Sequence, residues 1–114
     1  NQAINHAATA VQGAAAIAVQ SLAAIPQLGF IHEDSGQAFV LDIADLFRDT
    51  ITLQIAFSVV KKVMSGDDTS IDRLVRREAS TVFRKQDVIA RMIDKIKQVL
   101  RTEESDGISR DRDA

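Results

Sequence analysis

The 114-residue sequence contains no cysteine, no tryptophan and no tyrosine. Without cysteine there is no disulfide framework and no thiolate zinc site, which fits an intracellular protein. Five phenylalanines as the whole aromatic complement argue against a stacking platform for single-stranded nucleic acid. A long apolar run is also missing. Residues 7–25 are rich in alanine, but Gln12, Gly13, Gln20 and Ser21 interrupt them and no Lys or Arg precedes them. Neither a signal peptide nor a membrane span follows from such a pattern; a buried helix packed closely through small side chains does. An initiator methionine is absent as well. The chain opens Asn1-Gln2 inside what reads as a helix, so the expectation is a cleaved product, an excised domain or a partial chain.

A chain of this length forms one domain at most, with a modest core. Its net charge of −2 hides an asymmetry. Residues 1–60 carry one basic residue, Arg48, against five acidic ones, whereas residues 61–101 carry eleven basic and six acidic, a net of +5. Residues 102–114 return to a net of −3. An acidic centre flanked by basic helices is compatible with a metal site beside a phosphate-binding face. Lys and Arg that merely solvate exposed helix faces would give the same pattern.

The periodicity predicts an all-α fold of about four main helices. The first spans about residues 2–24 and ends at Pro26, which disfavours helical geometry at Ile25. Residues 27–36, with Gly29 and Gly36, read as a loop. A second helix is predicted from near Gln37 to about Met64, with Val40, Ile43, Phe47, Ile51 and Ile55 as its buried stripe and Asp42, Asp45 and Asp49 as a second, offset stripe. Ser65-Gly66-Asp67-Asp68-Thr69 reads as a turn. Ser70 then caps a third helix that buries Ile71, Leu74, Val75, Ala79, Val82 and Phe83. A fourth helix spans roughly residues 87–101, with Val88, Ile89, Met92, Ile93, Ile96, Val99 and Leu100 on its apolar face. Beyond it only Ile108 and Ala114 are apolar. The expected organisation is a helical domain at 1–101 and a disordered acidic tail at 102–114.

One constellation carries chemistry. Gly29-Phe30-Ile31-His32 is followed, ten residues after the histidine, by Asp42 and then Asp45. The i, i+3 spacing places both carboxylates about one turn apart on one helix face, and His32 follows a short apolar run that could fold back over it. One imidazole and two carboxylates suit Mn²⁺ or Mg²⁺ better than zinc, and such an ion serves phosphodiester chemistry. The competing reading makes His32 a surface or packing residue and the aspartates solvated helix surface. His6, with no acidic neighbour in sequence, is read as an ordinary helix residue.

The block Gly-Phe-Ile-His at 29–32 with Phe-Val-Leu-Asp-Ile-Ala-Asp at 39–45 resembles the helical-domain motif of the CRISPR-associated adaptation integrase, CRISPR-associated protein one, in its type I-E form. The likeness also takes in Ile25-Pro26-Gln27-Leu28-Gly29, Asp72-Arg73-Leu74-Val75-Arg76 and Val82-Phe83-Arg84, and covers about residues 1–101. It implies an all-α catalytic domain, here without its first helices and without the family's N-terminal β domain. It implies that His32 and Asp45 bind Mn²⁺ or Mg²⁺, that His32, Asp42 and Asp45 are catalytic, and that Arg48, Arg73 and Arg76 contact DNA. It implies a cytoplasmic prokaryotic enzyme of antiviral defence, a metal-dependent DNA endonuclease and integrase. The 3′-hydroxyl of a DNA fragment attacks a phosphodiester at the edge of a CRISPR repeat. Implied partners are double-stranded DNA (prespacer and repeat), a second copy as homodimer, CRISPR-associated protein two and the N-terminal part of the same protein, with no membrane. The family's third metal ligand, a glutamate on a helix before residue 1, is not in this sequence, so the segment alone is expected to be inactive. Where some type I-E relatives carry a DNA-contacting lysine, this chain has Glu33-Asp34-Ser35-Gly36. The alternatives are a non-catalytic helical interaction module and a general nucleic-acid-binding helical domain; the acidic first half and scarce aromatics speak against the latter.

Overall fold

A computed structural model describes residues 2–24 and 33–113, with side chains placed at 2–24 and 37–101. Five α-helices and one π-helical turn make up the described residues, and no strand occurs among them. The order is α1 (Gln2–Ala23), α2 (Glu33–Leu46), the π turn (Arg48–Thr52), α3 (Leu53–Met64), α4 (Ile71–Lys85) and α5 (Val88–Asp113). None of these helices is long and apolar enough to cross a membrane.

Helix α1 lies at the centre and packs against each of the other four helices. Its buried side is Ala3, Ala7, Val11, Ala14, Ala15, Ala18, Val19 and Leu22. The alanines explain the arrangement, because the separation of packed helices is set by the side chains at the contact. Against them pack Ile43 and Phe47 from α2 and its end, Ile51 from the π turn, Ile55 and Val59 from α3, Leu74 and Val82 from α4, and Val88, Met92 and Ile96 from α5, all in one core. The apolar stripes expected from periodicity are thus the buried ones. Val40, Ile71, Phe83, Ile89, Ile93 and Leu100 pack at its margin, half-buried.

Where the sequence pattern predicts one unbroken helix from 37 to 64, the chain instead forms two helices joined by the π turn, and α2 begins four residues earlier, at Glu33. The buried residues Ile43, Phe47, Ile51, Ile55 and Val59 recur every four residues. In a regular α-helix each four-residue step drifts about 40° round the axis, so four steps drift about 160°, too far for one core-facing stripe. One extra residue per turn takes back about 100°. The bonds show the insertion directly: the Phe47 carbonyl accepts from Ile51 N–H at 2.8 Å and also from Thr52 N–H at 3.3 Å, and Leu53 N–H donates to the Arg48 carbonyl.

Helix α3 closes in a Schellman arrangement. Gly66 N–H donates to the Val63 carbonyl at 3.1 Å and Asp67 N–H to the Lys62 carbonyl at 3.1 Å, with Gly66 at φ +99°. Among the described glycines only Gly66 has a positive φ, where a side chain would be strained. Asp67 then accepts the Thr69 N–H at 2.9 Å, and its hydrogen bonds to Thr69 hold its carboxyl below the usual carboxylate range. Ser70 caps α4 as expected, its hydroxyl accepting from Arg73 N–H at 3.3 Å. Between α4 and α5 lie only Gln86 and Asp87, the latter at φ +48°, a left-handed geometry that aspartate tolerates better than most residues.

The backbone of helix α5 is helical to Asp113, past the expected helix end near 101. Glutamate and arginine, good helix formers, recur in that segment.

Candidate metal and nucleic-acid site

Asp42 and Asp45 stand on α2 one turn apart, both exposed, and Arg48 follows at the start of the π turn, also exposed. The neighbours Ile43 and Ala44 are buried, and burying them is what turns the carboxylates outward. Of the predicted set, Asp45 and Arg48 line one cleft, and Asp42 is exposed one turn before Asp45. His32 lies outside the described residues. Among the described residues no three His, Cys, Asp or Glu side chains gather closely enough to hold a metal ion.

Two depressions flank this carboxylate ridge. Toward α1, a cleft of about 230 Å³ is lined by Asp45, Arg48, Ala44 and Thr52 on one side and by Ile4, Asn5, Ala8 and Gln12 on the other. Thr52 is the one buried polar residue of the described core, 2% exposed. Toward α5, a groove of about 460 Å³ runs between Leu46, Phe47 and Thr50 on one wall and Arg91, Asp94, Lys95 and Gln98 on the other. There the Arg91 guanidinium sits over the Phe47 ring, 5.5 Å from its centroid, a cation–π contact that orients it.

The other predicted DNA contacts, Arg73 and Arg76, are exposed on α4. Arg76 Nη2 pairs with Asp72 Oδ2 at 3.2 Å, and the other oxygen of that carboxylate lies 3.7 Å from His6 Nδ1. His6 thus has an acidic neighbour after all, one brought by α4 and invisible in the local sequence. Helix α1 separates these arginines from the carboxylates. Asn5 lines the cleft with Asp45, whereas His6, the next residue and about 100° round the helix, reaches α4. Sequence reasoning missed the π turn and the Arg91–Phe47 pair. The turn had a signal: the β-branched run Thr50-Ile51-Thr52, which crowds an α-helix, coincides with a four-residue apolar spacing. The pair, 44 positions apart in sequence, had none.

Comparison with known proteins places this chain in a family. The chain is 31% identical over 103 residues to the CRISPR-associated endonuclease Cas1 1 of Rhodospirillum rubrum, covering 89% of this chain and 33% of that protein. It is 32% identical over 100 residues to the CRISPR-associated endonuclease Cas1 of Geobacter sulfurreducens, covering 88% and 31%. With the CRISPR-associated endonuclease Cas1 2 of Thermus thermophilus it shares 30% identity over 115 residues, 97% of this chain and 34% of that protein. No family model matches the chain. No solved structure matches it either. These curated relatives extend well beyond the match, which takes in about a third of their length. The chain belongs to the family of CRISPR-associated Cas1 endonucleases.

Proposed function

We propose that this chain is the helical catalytic part of a type I-E-like Cas1, a metal-dependent DNA endonuclease and integrase that inserts spacer DNA into a CRISPR array. The observation that carries the reading is the similarity along 89% of the chain to a protein named as a CRISPR-associated endonuclease. It is supported by the outward carboxylates of α2, with Arg48 beside Asp45 in one cleft. The donor chemistry fits a hard divalent cation: Asp42 and Asp45 offer oxygen ligands one turn apart, and His32, ten residues before Asp42, adds an imidazole that Mn²⁺ accepts more readily than Mg²⁺. A bound Mn²⁺ or Mg²⁺ polarises a phosphoryl oxygen and favours attack by a 3′-hydroxyl.

The chain's own residues then have distinct tasks. Asp45 and His32 would hold the cation, and Asp42 is the second carboxylate, one turn before Asp45. Arg48, at the mouth of the cleft with Asp45, draws a DNA phosphate toward carboxylates that would otherwise repel it. Arg73 and Arg76 hold duplex backbone at a distance from the chemistry, on the far side of α1. The rest of the protein supplies a further carboxylate, the homodimer contacts and the docking of CRISPR-associated protein two, in the prokaryotic cytoplasm. Strand transfer in Mn²⁺ by the whole-length protein tests this reading. His32→Ala and Asp45→Ala should abolish transfer while helical circular dichroism and most DNA affinity persist. Transfer near the unmutated level by His32→Ala would overturn the metal-site assignment.

A further inference from the structure

We propose that Arg91 and Lys95 of α5 form a second DNA-backbone contact, on the opposite flank of the carboxylate ridge from Arg48. The inference rests on the DNA-processing reading above. Leu46, one turn after Asp42 and adjacent to Asp45, is one wall of the 460 Å³ groove whose other wall carries Arg91 and Lys95. The two cations are i, i+4 and so about one turn, about 6 Å, apart along α5. Both line the same groove, with Asp94 between them as its one acidic member. Arg91 is exposed, but its guanidinium is held over Phe47 at 5.5 Å. That contact fixes the plane of the fork while the outward N–H groups stay available to phosphate oxygens. Lys95 Nζ is 3.4 Å from Gln98 Oε1, a neutral partner that leaves its charge uncompensated. The facing wall, Leu46, Phe47 and Thr50, brings no charge.

Electrostatics favour such a contact. A phosphate backbone laid across Asp42 and Asp45 meets two carboxylates, and cations on both flanks add attraction at each edge. Arg48 stands on the α1 side, and Arg91 with Lys95 on the α5 side, so a duplex crossing α2 is held at both edges. The occupant is a duplex backbone, recognised by its phosphates regardless of sequence.

The test uses the whole-length protein and measures duplex affinity against salt. Arg91→Gln with Lys95→Gln should weaken binding to unrelated duplexes by a common factor of about ten, and should reduce the slope of log affinity against log salt by about one to two. Lys95→Gln alone, which leaves the Arg91–Phe47 contact intact, should reduce the slope by about one. Arg91→Lys should keep most of it, because the charge remains. An unchanged slope in both Lys95→Gln and the double variant, or a loss confined to single strands, overturns the proposal. The parallel variant Arg73→Ala with Arg76→Ala separates the levels. A slope change there and none at Arg91 and Lys95 refutes the groove alone, whereas parent protein without salt-dependent duplex binding refutes the DNA reading and the groove together.

Discussion

Helix α1 offers two substitutions, two residues apart, that should move stability in opposite directions. Ala15 is fully buried in the core, on the helix against which every other helix packs, and it lines none of the surface depressions at the site. Ala15→Leu adds three carbons. Burying them would stabilise by about 0.8 kcal/mol each if there were room. Zero exposure on the central helix says there is none, and forcing extra carbons into a closed core costs about 1–3 kcal/mol. The cost wins, at about 2 kcal/mol. Gly13 is the opposite case. It is exposed, and a Cβ built on it meets nothing within 4 Å, so Gly13→Ala only removes the conformational freedom of glycine in mid-helix and stabilises by about 0.5–1 kcal/mol. The two variants should differ by about 3 kcal/mol. Urea-induced loss of helical circular dichroism measures the gap, provided that the slopes of the two transitions agree. Ala15→Leu within about 0.5 kcal/mol of the parent would mean that the helices beside α1 have room to spare, and the close packing ascribed to its alanines would be refuted.

Two further outcomes follow from the ends of α4 and α5. Ser70→Ala removes the hydroxyl that accepts from Arg73 N–H and should cost about 1 kcal/mol in the same urea titration; no change would show that water replaces the cap without loss. Truncation after Arg101 removes a segment whose apolar residues are only Ile108 and Ala114, and should leave the melting temperature nearly unchanged, whereas a drop of more than about 5 °C, the shift that 1 kcal/mol gives at this size, would show that the end of α5 packs.

The helices and their buried faces were legible because burial itself writes the 3.6-residue period: Leu74, Val75, Ala79 and Val82 could be assigned to one side of α4 from spacing alone, and they are buried. The exposure of Asp42 and Asp45 was legible by the same logic, as the complement of Ile43, Phe47 and Ile51. What surrounds the carboxylates was not legible. Asn5 and Gln12 come to Asp45 from α1, and Arg91 comes to Phe47 from α5, through packing that no local pattern encodes. The start of α2 was misplaced because Ser35-Gly36 carries a breaker signal that the helix overrides. The π turn matters most for the site. A regular helix from 33 to 64 could satisfy the core with Ile43 and Phe47 or with Ile55 and Val59, but it would rotate one pair away by about 120°. Taking back about 100° at residues 48–52 lets both pairs point inward, and it does so one residue after Phe47, where the bend in register leaves the upstream carboxylates outward and sets Arg48 at the cleft. The surface that carries Asp42, Asp45 and Arg48 thus takes its geometry from the packing of Ile43, Ala44 and Phe47 behind it.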